Sequence, residues 1–291
     1  MYDVVVLGSA NLDLVVRAER HPRSGETLLG RDYREFPGGK GLNQAVAASR
    51  AGASVAFVGA VGDDSAGTRL LDEAGAAGVD IAHVKVVPGV PTGRALITVA
   101  DDGDNTIVVV PGANLHVPAG LPPGRVLLAQ LEIPLPTVVA GFASARADGA
   151  RTLLNPAPAI LLPAELVSTT EVIIPNQHEA DLLGGEDALV AAGVRTVVTT
   201  MGEDGAAVVR PDETGGGTRR RYPAPRVVPV DTTGAGDAFC GVLAARLASG
   251  AGFDDAMRWA LAGGSLATTT AGAVPSLPTA AAIEAFLSGA G

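Results

Sequence analysis

The chain has one cysteine, Cys240, so no internal disulfide can form. Its place in an apolar, helix-compatible stretch reads as a small core residue. No apolar run reaches the roughly 20 residues that a membrane span requires. The start, 1–8, reads as a strand and not as an export signal, because it lacks a basic leader and its short apolar run gives way to Asn and Asp. A cytoplasmic, reduced location is the expectation. Positive charge is also scarce. Twenty-one Lys and Arg stand against 31 Asp and Glu, a net charge of −10, which argues against a nucleic-acid binder that relies on phosphate neutralisation. The basic cluster Arg219-Arg220-Arg221 follows Gly215 to Gly217 and reads as a solvated loop edge.

Familiar signatures are missing as well. His21, His83, His116 and His178 are scattered without metal-ligand spacing, and no G-x-S-x-G elbow occurs. There is no G-x-x-x-x-G-K-[ST], so a P-loop is excluded; the turn 234–239 reads G-A-G-D-A-F and lacks the third glycine of a dinucleotide fingerprint. A zinc enzyme, an elbow hydrolase and a nicotinamide oxidoreductase are therefore unsupported. What is present is a chain of 291 residues with 47% hydrophobic and 18% charged residues, enough for a large core, and 38 glycines for tight turns.

From residue 125 onward, apolar runs recur at 126–131, 152–154, 171–174, 196–199 and 226–230, with helical stretches such as 135–147 and 177–183 between them. The alternation predicts an α/β fold with a central, mainly parallel sheet flanked by helices. Upstream, 4–7, 55–61 and 81–87 read as strands, and 42–50 and 65–77 as helices. Two segments break this rhythm. Residues 11–36 are extended, with Asn11 and Asp13 on one face by the period of two, and 94–100 pairs with 106–110 across the turn Asp101 to Asn105. They predict a small sheet projecting from the main body. The loop 211–221 is the expected flexible segment. Polar residues follow the apolar runs: Glu132, Asn155, Asn176, Thr200 and Asp231. In an open parallel sheet that edge binds ligands.

The stretch Asp231-Thr-Thr-Gly-Ala-Gly-Asp-Ala-Phe239 carries the strongest chemistry. Gly234 and Gly236 let a helix start directly after a turn, and a helix N-terminus presents unpaired amides and a positive dipole end to an anion. Asp237 then places a carboxylate beside that anion hole, where it could take a proton from an attacking hydroxyl. The plain alternative is a well-made strand-to-helix corner. Three other motifs suit phosphoryl transfer. Pro37 to Gln44 combines close-approach glycines with donors Lys40 and Asn43. Asn176 and Glu179 share a helical face and could hold hydrated Mg²⁺ with phosphates, or form a capping box. Thr199 to Gly205 is either a nucleotide platform or an ordinary turn.

Together these motifs resemble the ribokinase-like, PfkB-type carbohydrate kinases. The carboxyl-terminal signature D-T-x-G-A-G-D is matched by 231–237 and the amino-terminal one by Gly38-Gly-Lys-Gly-Leu-Asn-Gln-Ala45. Gly8 to Asp13, Gly59 to Asp64, Pro111 to Asn114, Gln130 to Glu132 and Asn155 to Pro158 follow in family order along essentially the whole chain. The resemblance implies a single ribokinase-like α/β domain over 1–291, with lid strands within about 11–36 and 92–110. It implies ATP-dependent phosphorylation of a sugar hydroxyl, foremost the 5-hydroxyl of D-ribose, with deoxyribose, a fructose derivative or a nucleoside as alternatives. Asp237 would be the base, and the amides of Gly234, Ala235 and Gly236 the anion hole. Asn11, Asp13, Gly39, Lys40, Asn43 and Glu132 would hold the sugar. Asn176, Thr200, Gly202, Gly205 and Gly236 would bind ATP, and Glu179 would hold Mg²⁺ through water. Asp231, Thr233, Ala267, Thr270, Gly272 and Ser276 would form a K⁺ site. A homodimer through the lid strands is expected, with no nucleic-acid or membrane partner. One departure stands out: Ala260 falls where the family often sets a polar group beside adenine. A non-catalytic sugar-binding protein on the same fold is the competing class, and the intact Asp237 speaks against it.

Overall fold

The computed structural model describes residues 1–212 and 217–289. The amino-terminal half runs β1 (Tyr2–Leu7), β2 (Asn11–Arg17), β3 (Asp32–Gly38), α1 (Lys40–Arg50), β4 (Val55–Val58), β5 (Ala60–Gly62) and α2 (Ser65–Ala76). It continues through β6 (Val79–Asp80), β7 (Lys85–Val87), β8 (Gly93–Val99), β9 (Asn105–Val110), β10 (Gly124–Ala129) and α3 (Leu135–Ala147). The remainder is β11 (Arg151–Leu154), α4 (Ala164–Thr169), β12 (Val172–Ile173), α5 (Gln177–Leu182), α6 (Glu186–Ala191), β13 (Thr196–Thr200), β14 (Ala206–Pro211) and β15 (Gly217–Tyr222). Four helices close the chain: α7 (Ala235–Ala248), α8 (Phe253–Ala267), α9 (Ala273–Ser276) and α10 (Ala280–Leu287).

The expected parallel sheet is present. Its order is β15-β14-β13-β12-β11-β10-β1-β4-β6, parallel from β13 to β6, with β14 and β15 added antiparallel. Neighbouring residues of one strand serve opposite cores, as the pleat requires. Val4, Val6, Val126 and Leu128 pack under α1, α7 and α8; Val5, Leu7, Leu127 and Ala129 pack under α3, α4 and α6. Burial on both faces is why these strands read as continuous apolar runs. The second sheet, β3-β2-β8-β9, stands apart from the first and contains the two segments that broke the rhythm.

Three local expectations need correction. Residues 226–230 are not a strand: Val228 and Val230 are exposed, and Val230 and Asp231 donate instead to the Thr268 carbonyl at 2.7 and 3.1 Å. Pro223, Pro225 and Pro229 lack the N–H groups that a ladder needs. The stretch 81–87 is strand only at Lys85–Val87, because the Asp80 carboxylate accepts the Ala82 N–H at 2.9 Å and starts a turn. The run 55–61 divides at Gly59, and β5 leaves the main sheet to pair with β7. Of the loop 211–221, residues 213–216 lie outside the described residues, and Arg219 to Arg221 belong to edge strand β15.

The packing of α1 on α7 positions the site. Both are rich in small residues, and Gly241 lies where they cross. A Cβ there would sit 2.6 Å from the Gln44 carbonyl oxygen and from the Ala47 Cβ. Only a bare Cα permits this approach.

Candidate functional site

The carboxyl ends of β11, β12 and β13 meet the first turns of α1, α5 and α7 around a polar cavity of about 230 Å³. Lys40, Asn155, Asn176, Glu179, Thr200, Gly234, Gly236 and Asp237 line it. Residues separated by nearly 200 positions in sequence therefore share one recess.

Asp237 is 8% exposed. Its Oδ2 accepts the Asn43 amide at 2.9 Å and its Oδ1 accepts the Gln44 amide at 2.9 Å. Gln44 Nε2 also donates to Asn155 Oδ1 at 3.0 Å, and Gln130 Nε2 donates to Gln44 Oε1 at 2.6 Å. The carboxylate is thus fixed by two side-chain donors from a neighbouring helix. It sits in the first turn of α7, whose N-cap Gly234 has φ 80°, a left-handed conformation natural only to glycine. The Ala235 N–H donates to the Thr232 carbonyl at 3.2 Å.

Asn11 and Asp13 lie side by side on β2, 2% and 9% exposed, on one face as the period of two predicted. Asn114 holds the first of them: its Nδ2 donates to Asn11 Oδ1 at 2.8 Å, and its Oδ1 accepts the Ala10 N–H at 2.9 Å. Asp13 packs over Gly38, where a Cβ would come within 2.2 Å of a carboxylate oxygen. Burial pushes the Asp13 carboxyl up to about 7, helped by the negative charges of Glu132 and Asp237 and opposed by Lys40. For the Lys40 ammonium, burial acts downward, but Asp237, Glu132 and Glu179 outweigh it and leave it above its ordinary value. Glu132 joins this group from the end of β10. It accepts the Ser9 hydroxyl at 2.5 Å and the Lys40 N–H at 3.2 Å, so it also caps the start of α1. Gly39, the N-cap of α1, has φ 88°, and a Cβ there would lie 2.7 Å from the Asn11 nitrogen.

On the opposite side of the cavity, Asn176 and Glu179 form the capping box: Asn176 Oδ1 accepts the Glu179 N–H at 2.8 Å, and Glu179 Oε2 accepts the Asn176 N–H at 2.9 Å. The box and a cation role are compatible, because Glu179 still lines the cavity. Thr200 is joined to this strand edge through the Pro175 carbonyl, at 2.9 Å from its N–H. Gly202 and Gly205 form a turn beyond it, with φ 58° and 94°, outside the cavity lining; a Cβ at Gly205 would strike the Tyr222 carbonyl at 2.0 Å.

Asp231 stands apart from the cavity. Its carboxylate accepts the Thr233 N–H and the Gly272 N–H, each at 2.9 Å. Burial pushes this carboxyl up, and those backbone donors more than reverse the shift, leaving it below its usual range. The loop from Ala267 through Thr270 and Gly272 to Ser276 is thereby held against 231–233, and the Ser276 hydroxyl donates within it to the Ala273 carbonyl at 2.8 Å. Carboxylate, hydroxyl and carbonyl oxygens are the donor types that a hard cation takes. Ala260 is fully buried in the core beneath α7, so it offers no surface to a base.

Reading the sequence alone left Gln44, Gln130, Asn114 and Ser9 without roles. Each is an amide or hydroxyl in an otherwise apolar or small-residue run, and a buried polar group requires a partner. Among the described residues no cluster of three or more His, Cys, Asp or Glu could hold a metal, and no helix is long and apolar enough to cross a membrane.

A profile of the pfkB family of carbohydrate kinases matches residues 1–280. The chain is 38% identical to the ribokinase of Bacillus subtilis, over 99% of its length and 100% of that protein. It is also 38% identical to the ribokinase of Haemophilus influenzae, with 95% of each chain covered. Among solved structures, it is similar to the Arabidopsis thaliana ribokinase complexed with ribose and ATP, with a TM-score of 0.89, 30% identity and 98% of each chain covered.

Proposed function

The chain belongs to the pfkB family of carbohydrate kinases, and from that premise we propose that it transfers the γ-phosphoryl group of ATP to the 5-hydroxyl of D-ribose, giving ribose 5-phosphate. One observation carries the reading. The buried Asp237 carboxylate is held by two amides on the floor of a cavity that also contains the first turn of α7. A base and an anion hole adjoin, which is what in-line displacement by a hydroxyl needs. The cavity, about 230 Å³, is smaller than the roughly 300–1,000 Å³ of pockets that enclose whole ligands, and suits the phosphoryl end of a nucleotide.

In this reading Asp237 Oδ2 or Oδ1 receives the proton of the sugar hydroxyl as its oxygen attacks phosphorus. The N–H groups of Gly234, Ala235 and Gly236 meet the charge on the equatorial phosphoryl oxygens. Asn11 and Asp13 bind the other hydroxyls, with Gly39, Lys40, Asn43 and Glu132 around them. Lys40 lies within reach of both halves, as its place in the cavity lining indicates. Asn176 and Thr200 would contact the phosphates, with Gly202 and Gly205 shaping the groove beyond. Glu179 is the residue that would hold Mg²⁺ through water, and Asp231 with the loop 267–276 would hold K⁺; both ions, when bound, supply positive charge that neutralises the phosphates and stabilises the anion hole.

The sheet β3-β2-β8-β9 would act as the lid, since it carries Asn11 and Asp13 at its inner end. Its edge strand β9 exposes every residue, including Ile107, Val108, Val109 and Val110. An apolar sheet edge in water invites pairing, and a second copy of the chain is the proposed occupant.

The test is a coupled ADP-release assay over a panel of ribose, deoxyribose, fructose derivatives and nucleosides. Ribose is expected to give the highest kcat/KM, and a better substrate on the panel would replace it. Asp237→Asn is expected to lower kcat by about 10²–10⁴-fold with sugar binding partly kept. Near-normal turnover in that variant removes Asp237 from the chemistry.

A further inference from the structure

We propose that Gln44 is the positioning residue for the base, orienting the Asp237 carboxylate through a hydrogen bond whose direction is fixed by the carboxylate itself and by Asn155. The inference rests on the reading of Asp237 as base and goes one residue further.

An isolated buried amide can be turned end for end, because its oxygen and nitrogen are nearly the same size. Here the surroundings forbid it. A carboxylate oxygen accepts hydrogen bonds, so the group 2.9 Å from Asp237 Oδ1 is the Gln44 –NH₂. The same –NH₂ faces Asn155 Oδ1 at 3.0 Å. That oxygen is fixed independently, because Asn155 Nδ2 donates to the Ile174 backbone carbonyl at 2.9 Å. Both protons of the Gln44 amide are thereby assigned, and its Oε1 takes the Gln130 –NH₂ at 2.6 Å. Gln44 and Gln130 are both wholly buried. Gln130 is confined in turn by Gly8, where a Cβ would meet its Oε1 at 2.1 Å. One proton of Gln130 and one of Gln44 thus run toward Asp237, and the relay ends on the oxygen beside the cavity, while the second Gln44 proton is held by the branch through Asn155 to the Ile174 carbonyl.

Asn43 already holds Oδ2, so a second donor is superfluous for fastening the chain. Its effect is on orientation. One donor on each oxygen fixes the rotation of the carboxyl plane about Cβ–Cγ, and the lone pairs left over point in set directions. A base whose lone pair is misdirected still binds its neighbours but meets the hydroxyl proton poorly, which lowers turnover and leaves sugar affinity alone.

Three variants of the full chain and one control test this, by ADP release with ribose and ATP from about pH 5.5 to 9.5. Gln44→Met keeps the length and removes the donor; kcat is expected to fall about 10–100-fold with the ribose KM within about threefold. Gln44→Glu sets a second carboxyl against Asp237, and such a pair retains a proton to higher pH. The acid limb of its kcat/KM profile is expected to move up by at least about one pH unit. The moved limb shows that residue 44 abuts the base, while the other titratable neighbours, Asp13, Lys40, Glu132, Glu179 and Cys240, are unchanged; the fall in kcat at constant KM in Gln44→Met is what separates positioning from a merely structural role. Turnover of Gln44→Met within threefold of the parent, or a Gln44→Glu profile that superposes on it, overturns the inference. If Gln44→Met does not fold, Gln130→Met removes the donor behind it; a drop of about 3–10-fold in kcat at constant KM supports the relay, and parental kcat refutes it. Asp237→Asn separates the two readings. If it turns over normally, the base assignment fails; if it is inactive while the Gln44 variants behave as the parent, only the positioning role fails.

Discussion

Replacing Asp13 by Asn should stabilise the unliganded protein at neutral pH while damaging its activity. Asp13 is 9% exposed, and its carboxyl is raised from 3.8 to about 7 by burial and by Glu132 and Asp237. A shift of about 3 units corresponds to roughly 4 kcal/mol of disfavoured ionisation. Relaxation and water entry reduce this in practice to about 2 kcal/mol. The sign follows from proton counting. Between pH 4 and 7 the unfolded chain has lost this proton and the folded chain still holds it, so raising the pH favours unfolding. The contribution of a protonated Asp13 is complete below about pH 4, declines through this window and is gone above pH 7. Asn carries no such proton and does not change across it. With an unfolding entropy of about 2.1 cal/mol/K per residue, 291 residues give about 0.6 kcal/mol/K, so 2 kcal/mol is a Tm difference of about 3 °C. Thermal melts of both proteins without sugar, at pH 4.5 and pH 8, measure it. Asp13→Asn should melt higher at pH 8 and nearly level at pH 4.5. An equal gap at both pH values, or a lower Tm for Asp13→Asn at pH 8, refutes the reasoning. In the ADP-release assay the same variant should raise the ribose KM at least about tenfold, as a lost charged hydrogen bond to a hydroxyl implies.

Three further outcomes follow from the site. Turnover should be faster in K⁺ than in Na⁺, and Asp231→Asn should remove the preference, because it weakens the contact that holds Gly272 at 2.9 Å; equal rates of the parent in the two salts would sink the cation assignment. Asn176→Ala breaks the capping box, so chemical denaturation should reveal a loss of about 1 kcal/mol, together with a higher KM for ATP; a changed KM for ribose alone would contradict the placement. Val108→Lys puts a charge on the apolar edge of β9, and light scattering should then give the mass of one chain where the parent gives two; a parent that is already monomeric refutes the edge as an interface.

The main sheet was legible because doubly covered strands leave continuous apolar runs, and polar residues that follow them line the cavity. Asn155, Asn176 and Thr200 do meet there. Asn11 and Asp13 were readable as neighbours because a strand has a period of two. At 226–230 two signals oppose each other: the valines pattern as a strand, while the prolines at 223, 225 and 229 remove the N–H groups that a ladder needs, and the prolines prevail. Asp231 therefore ends no strand, although its backbone is held firmly by Thr268. What pattern could not supply was the layer behind the site. Gln44 lies in a quoted motif and Gln130 in an apolar run, yet nothing in the sequence says that the two amides touch across 86 positions. Such pairs depend on how closely α1 lies to β10 and α7, which periodicity does not encode.

That closeness bears on engineering. Replacing a glycine in a helix interior by alanine is a standard way to raise melting temperature, and Gly241 is a buried helix-interior glycine. Judged on the isolated helix, Gly241→Ala is an improvement. Judged on the pair, its methyl lands 2.6 Å from the Gln44 carbonyl and must push the two helices apart. The displacement would fall on the pair of residues that grips Asp237. A stabilisation campaign guided by helix propensity would thus trade away turnover at a position that touches no ligand, and any selection for thermostability should exclude this one glycine.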